Sequence, residues 1–79
     1  MYSNNLKNIL KGTKIINING SRYLSNSGFT ILELIDYLGF NKNTIVIDYN
    51  NNILDKSFWD QTWLNDNDSL EILSIAGGG

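Results

Sequence analysis

The chain has 79 residues, six Lys and Arg against eight Asp and Glu, a net charge of −2 and a pI near 4.7, with no Cys and no His. That length gives one domain near the size at which a single core supplies only about 3–5 kcal/mol, and the missing Cys and His remove disulfides, the usual metal ligands and any Cys or His nucleophile or base. The basic residues do not cluster, which argues against nucleic acid as a partner, and no apolar run approaches the roughly 20 residues needed to cross a membrane.

Residues 1–13 are polar apart from Met1, Tyr2, Leu6, Ile9 and Leu10. The i, i+3, i+4 spacing of the last three allows one or two turns of helix, too short to stand alone. The segment reads as a loose extension, with docking of those three residues onto the domain as the alternative. It lacks the apolar core of a secretory signal, and two Lys without Arg make a poor transit peptide. The expected place of work is where the chain is made: the cytoplasm, or a plastid stroma if it is organelle-encoded. The frequent Asn, consecutive at 50–52, fits an A/T-rich genome of either kind.

Residues 14–19 alternate as a strand, with Ile16 and Ile18 on one face and Ile15, Asn17 and Asn19 on the other. Asn19-Gly20 then supplies two residues that accept positive φ, so a hairpin is expected over about 14–24. Thr30 and Glu33 form a capping-box pattern, with Phe29 and Leu34 at the flanking staple positions. Ile31, Leu34, Ile35 and Leu38 share one face of the helix that follows, and Gly39 with Phe40 ends it at about residue 38. Residues 44–49 are a β-branched strand, Asn50-Asn51 a tight turn, and 52–54 a short strand. Between 56 and 64, Phe58, Trp59 and Trp63 read as core aromatics plugging one end of the domain in a loop or 3₁₀ turn. After a turn at 65–68, residues 69–75 form the last strand, with Leu70 and Ile72 facing inward.

A hairpin, a helix crossing one sheet face, two further strands and a last strand beside the first describe an α+β chain of the β-grasp type. The sheet is mixed and four- to five-stranded, with one main helix on one face. The crossover makes the first and last strands parallel neighbours at the sheet centre. The domain then spans 14–76, followed by a flexible tail, Gly77, Gly78 and Gly79. Glycine runs are costly to order and give a core nothing to pack. At a chain end they make a thin thread that passes a narrow slot and presents the Gly79 carboxylate; the bland alternative is a frayed terminus.

Several stretches together resemble the ubiquitin-like sulfur carriers of the ThiS/MoaD family, most closely its thiamin-biosynthesis branch. They are Ile18-Asn19-Gly20, the helix start at 30–34, the hairpin at 47–53, Trp59, the turn at 65–68 and the terminal glycines. The resemblance covers residues 14–79. Asn67 stands where this family usually has Gly, a replacement that left-handed φ tolerates, and the extension before Lys14 is outside the family's pattern.

The resemblance implies a carrier protein, not an enzyme, with no cofactor bound by itself. A ThiF-like adenylyltransferase of the ubiquitin-activating type would use ATP to adenylate Gly79 while Gly77 and Gly78 thread into its slot. A sulfur donor such as a cysteine desulfurase would then give a C-terminal thiocarboxylate, which passes its sulfur to a ThiG-like thiazole synthase. A molybdopterin synthase small subunit, a ubiquitin-like modifier and an inert adaptor are the alternatives. The first usually approaches its glycines through an aromatic and two prolines, whereas residues 73–76 are Leu-Ser-Ile-Ala and the chain has no Pro.

Outward parity also leaves apolar residues on the helix-free face: Ile15, Val46, Leu73 and Ile75, with Asp48 and Glu71 as an acidic edge. These six are the expected partner-docking residues, on adjacent strands near the tail.

Overall fold

The computed structural model describes residues 12–26 and 28–75. The expected helical spacing at 6–10 and the glycine tail at 77–79 lie outside the described residues. Five strands form one sheet: β1 (Lys14–Ile18), β2 (Ser21–Ser25), β3 (Ile45–Tyr49), β4 (Asn52–Leu54) and β5 (Ser69–Ser74). Their order is β2-β1-β5-β3-β4. β1 and β5 run parallel, and the other neighbours antiparallel. This is the β-grasp arrangement, with the helix α1 (Ile31–Leu38) as its crossover.

Local chemistry explains the turns. Asn19 and Gly20 have φ of 51° and 83°, and Asn50 and Asn51 have 50° and 73°, the paired positive values of a tight hairpin turn. Asn67 at 70° takes the left-handed position that a glycine would otherwise fill.

Every orphan N–H at the start of α1 finds an acceptor. Glu33 N donates to Thr30 Oγ1 at 3.2 Å, and Thr30 N to Glu33 Oε1 at 2.9 Å. Ile31 N donates to the Thr62 carbonyl and Leu32 N to that of Trp59, so the loop before β5 completes the cap. At the other end Gly39 is left-handed, and the Gly39 and Phe40 amides donate to the carbonyls of Asp36 and Ile35, which ends the helix as a Schellman motif.

The core lies between α1 and the sheet: Ile16, Ile18, Ile31, Ile35, Ile45, Ile47, Leu64, Leu70 and Ile72 are buried, with Trp59 at 2% exposure. Trp59 also donates its indole N–H to the Leu54 carbonyl at 3.2 Å. Two expectations change here. Of the three aromatics at 58–63 only Trp59 enters the core; Phe58 and Trp63 are more than half exposed, Phe58 because the 3₁₀ turn at Lys56–Phe58 sends it outward while its cap Trp59 turns in, and Trp63 in an isolated bridge to Thr30. The third strand begins at Ile45, since Asn41 draws Lys42–Thr44 into a 3₁₀ turn by accepting from Asn43 N.

Candidate functional site

β5 is the centre of the sheet and leads into the glycine tail. Its alternate residues split between two surfaces: Leu70 and Ile72 are buried under α1, while Glu71 and Leu73 are exposed on the opposite face. The register then decides which other residues join them. Val46 lies directly across from Leu73, and Asp48 across from Glu71. Ile75, 44% exposed, donates its N–H to the Thr44 carbonyl at 2.8 Å, so the chain still follows β3 at the last described residue.

Val46, Asp48, Glu71, Leu73 and Ile75 therefore form one patch at the tail end of the sheet. Ile15 does not join it. The parallel pairing sets Ile18 beside Leu70, which places Ile15 level with residue 67, about 20 Å along the strand direction from Leu73 at roughly 3.3 Å per residue. Ile15 instead lies opposite Leu24, at the other end of the same face. Alternation reveals which face a residue occupies, but nothing local fixes the register of a parallel pair formed across a long crossover.

One patch residue was absent from the expected set. Ile53 on β4 pairs with Asp48 and is 65% exposed, so the row Ile53, Asp48, Glu71 crosses three strands. Its parity relative to the Asn50-Asn51 turn was the signal that could have found it.

The electrostatics of the row are unbalanced. Two carboxylates face each other across β3 and β5, an arrangement that costs stability, and Asp48 Oδ1 is buried without a hydrogen-bond partner. Among the described residues the ion pair found is Lys42–Asp36 at 3.3 Å, which involves neither of them. An acidic centre with apolar flanks and no cation of its own suits a surface carrying an Arg or Lys within an apolar rim.

Asparagine and aspartate side chains hold β5 in place behind the patch. Asn19 Oδ1 accepts from Ile72 N at 2.7 Å, extending the ladder where β1 has ended. The buried Asp68 carboxylate accepts from the Tyr49 hydroxyl at 2.6 Å, from Asn65 N at 2.7 Å and from Asn50 Nδ2 at 3.1 Å. Asn50 Oδ1 in turn accepts from Ser69 N at 2.8 Å. Burial, with the hydrogen bond to Asp68 and its negative charge, pushes the Tyr49 hydroxyl up to about 12.

Comparison with known proteins bears on the whole of this unit. The family model described as the ThiS family matches residues 13–79. The ycf40 protein of Trieres chinensis is 37% identical over 62 residues, covering 78% of this chain and 85% of its own. A thiazole synthase of Paramagnetospirillum magneticum is 34% identical over 62 residues, but they make up only 19% of that enzyme. Among solved structures, the thiamine biosynthesis protein ThiS of Geobacter metallireducens superposes with a TM-score of 0.72 at 24% identity, over 82% of this chain and 99% of that one; the likeness establishes a shared fold.

Proposed function

The chain belongs to the ThiS family, and from that premise we propose that it is a sulfur carrier of thiamin biosynthesis that works through its Gly79 carboxylate. The observation that carries the reading is the course of β5. The central strand places exposed Leu73 beside Val46 and Asp48 beside Glu71, and within a few residues continues into Gly77, Gly78 and Gly79. A partner held on the patch thus has the terminus only four residues of sequence beyond Ile75.

The chemistry follows from the weakness of a carboxylate as an electrophile. A ThiF-like adenylyltransferase docks on the patch, draws Gly77 and Gly78 through a slot too narrow for a Cβ, and joins the Gly79 carboxylate to AMP from ATP with release of pyrophosphate. A persulfide, charged by a donor such as a cysteine desulfurase, then displaces AMP to give an acyl disulfide at Gly79. A second thiol on the partner's side attacks the partner's sulfur of that bond, leaving a disulfide on the partner and releasing the Gly79 thiocarboxylate. A ThiG-like thiazole synthase is the acceptor. The match to a fifth of a thiazole synthase supports this pairing, because that polypeptide joins a similar segment to the enzyme that would use it. The carrier itself holds no reacting group other than its terminus, and ATP belongs to the activating partner. Its ycf40 relatives, which are plastid-encoded, support a plastid stroma as the place of work.

Partner-dependent ATP–pyrophosphate exchange tests the reading. Gly78→Val adds β-branched bulk and narrows φ/ψ beside the reacting carboxylate, and deletion of Gly79 withdraws the carboxylate by up to about 3.5 Å, more than reaction geometry tolerates. Both variants are expected to lose exchange with unchanged thermal melts. Exchange at the wild-type rate in both would contradict the proposal.

A further inference from the structure

The sheet ends on two edges that differ in kind. β4 has three residues, whereas β2 has five, all paired to β1 without a bulge, with no Pro and a single charged residue, Arg22. Among the described residues nothing lies outside β2 in the sheet order. Short length, prolines, bulges and several charges are what keep an edge from pairing with another chain, and β2 has little of this protection.

The direction of its free hydrogen bonds follows from β1. The amides of Asn17 and Asn19 donate to the carbonyls of Asp68 and Leu70, so Ile16 and Ile18 turn theirs toward β2, and the residues across from them, Tyr23 and Ser21, turn back toward β1. Arg22 and Leu24 therefore aim their N–H and C=O groups away from the sheet. Side chains alternate with the same period. Tyr23, across from buried Ile16, stands on the α1 face at the rim of an apolar cavity of about 340 Å³ that Phe29, Leu34, Tyr37 and Leu38 also line. Arg22 and Leu24 stand on the other face, across from Asn17 and Ile15. Tyr23 and Leu24 are 49% and 66% exposed.

We propose that β2 pairs antiparallel with β2 of a second copy of this chain, about a two-fold axis through Tyr23. Arg22 of each copy then lies across from Leu24 of the other, and each of these pairs exchanges both of its backbone hydrogen bonds. Tyr23 meets Tyr23 as the intervening non-hydrogen-bonded pair, with Cα atoms about 4.5 Å apart, an aromatic pair across strands. Charge selects this register. A two-fold axis through Arg22 would set like charges directly opposite each other, which destabilises a sheet, whereas the axis through Tyr23 lays each Arg22 stem along an exposed Leu24 and leaves its guanidinium in water. Such an interface is isologous and closes at two copies. The axis stands normal to the sheet, so both α1 helices lie on one side, and the two Tyr23 rings cover apolar surface at the cavity rims that one copy leaves open. The inference does not rest on the sulfur-carrier reading, because β2 lies two strands from β5 and the pairing leaves both open-face patches uncovered.

Sedimentation of the full chain over a concentration series tests the pairing, and single-thiol variants test its register. The wild-type mass is expected to climb from 8.9 kDa toward twice that value as concentration rises to millimolar. Exchange of the Arg22 and Leu24 amides should slow over the same range while that of Tyr23, already bonded to β1, stays constant. Tyr23→Lys, which opposes like charges across the axis, should remain monomeric, and so should Tyr23→Glu, whereas an equimolar mixture of the two should dimerise, which a misfolded variant would not do. Because the chain has no Cys, Tyr23→Cys adds one thiol, and under mild oxidation it should link two copies. Arg22→Cys should not, since its Cα atoms stand roughly 8–9 Å apart in this register, beyond the reach of a disulfide. A wild type that stays monomeric at millimolar concentration, an equimolar mixture that stays monomeric, or faster linking through Arg22→Cys than through Tyr23→Cys would overturn the inference.

Discussion

β3 and β5 supply both surfaces of the sheet from the same few residues, and the two surfaces are built by opposite rules. Beneath α1, Ile45, Ile47, Leu70 and Ile72 are closed off from solvent and every neighbour is apolar or hydrogen-bonded. One residue along in each strand, Val46, Asp48, Glu71 and Leu73 form a face that is half apolar, carries opposed like charges and leaves Asp48 Oδ1 without a partner. The first face stabilises the fold; the second holds chemistry that a monomer alone would be better without. The proposed docking role gives that locally unfavourable surface, beside a glycine tail, a use that the fold alone does not.

Substitutions that respect or cross this division should behave differently, and the largest effect belongs to the closed face. Ile47→Ala removes a fully buried side chain and should cost about 2–5 kcal/mol, comparable to all the stability expected of a domain this small. Urea unfolding would register it as a collapse of the midpoint.

Tyr49→Phe sits at the edge of that face and removes one of the donors to buried Asp68, for an expected loss of about 1–3 kcal/mol. It also carries a pH signature. The folded state holds the Tyr49 proton up to about pH 12 against 10.0 for a free tyrosine, so this contribution is complete below pH 10 and fades as pH rises from 10 to 12. Wild-type melts should fall through that window, and the Tyr49→Phe melts should lack this part of the fall.

On the open face the stability effects shrink and change sign while the effects on partner binding grow. Glu71→Gln relieves the repulsion with Asp48 and should raise stability by about 0.2–1 kcal/mol while weakening the activating enzyme's grip. Leu73→Asp should leave the melt within about ±0.5 kcal/mol of wild type and still reduce binding in a titration calorimeter. A Leu73→Asp chain that binds as well as wild type would remove the patch from the account.

Much of the fold was legible in the sequence because its decisions are local. The Asn19-Gly20 turn, the Thr30–Glu33 box and the Gly39 stop each act through neighbours within a few residues, and each stands where the sequence places it. The site was legible by parity only: Val46, Leu73 and their acidic neighbours were on the expected face, but Ile15 was separated from them by a parallel register that no turn specifies. Burial of Phe58 and Trp63 was a tendency of residue type, overridden at Phe58 by the orientation of a 3₁₀ turn and at Trp63 by its place in a bridge to Thr30. The asparagines carried no periodic signal at all. Asn19 and Asn50 serve as backbone substitutes, a role that appears only once strands distant in sequence lie side by side.

The central claim, that the open face delivers a tail whose carboxylate accepts sulfur, is tested most directly by intact mass. The chain would be expressed with its natural partners and its C-terminal peptide weighed in the wild type and in Leu73→Asp. The account predicts replacement of one oxygen by sulfur at Gly79 in the wild type, with a much smaller fraction converted in the variant. An unmodified Gly79 in the presence of active partners would contradict it.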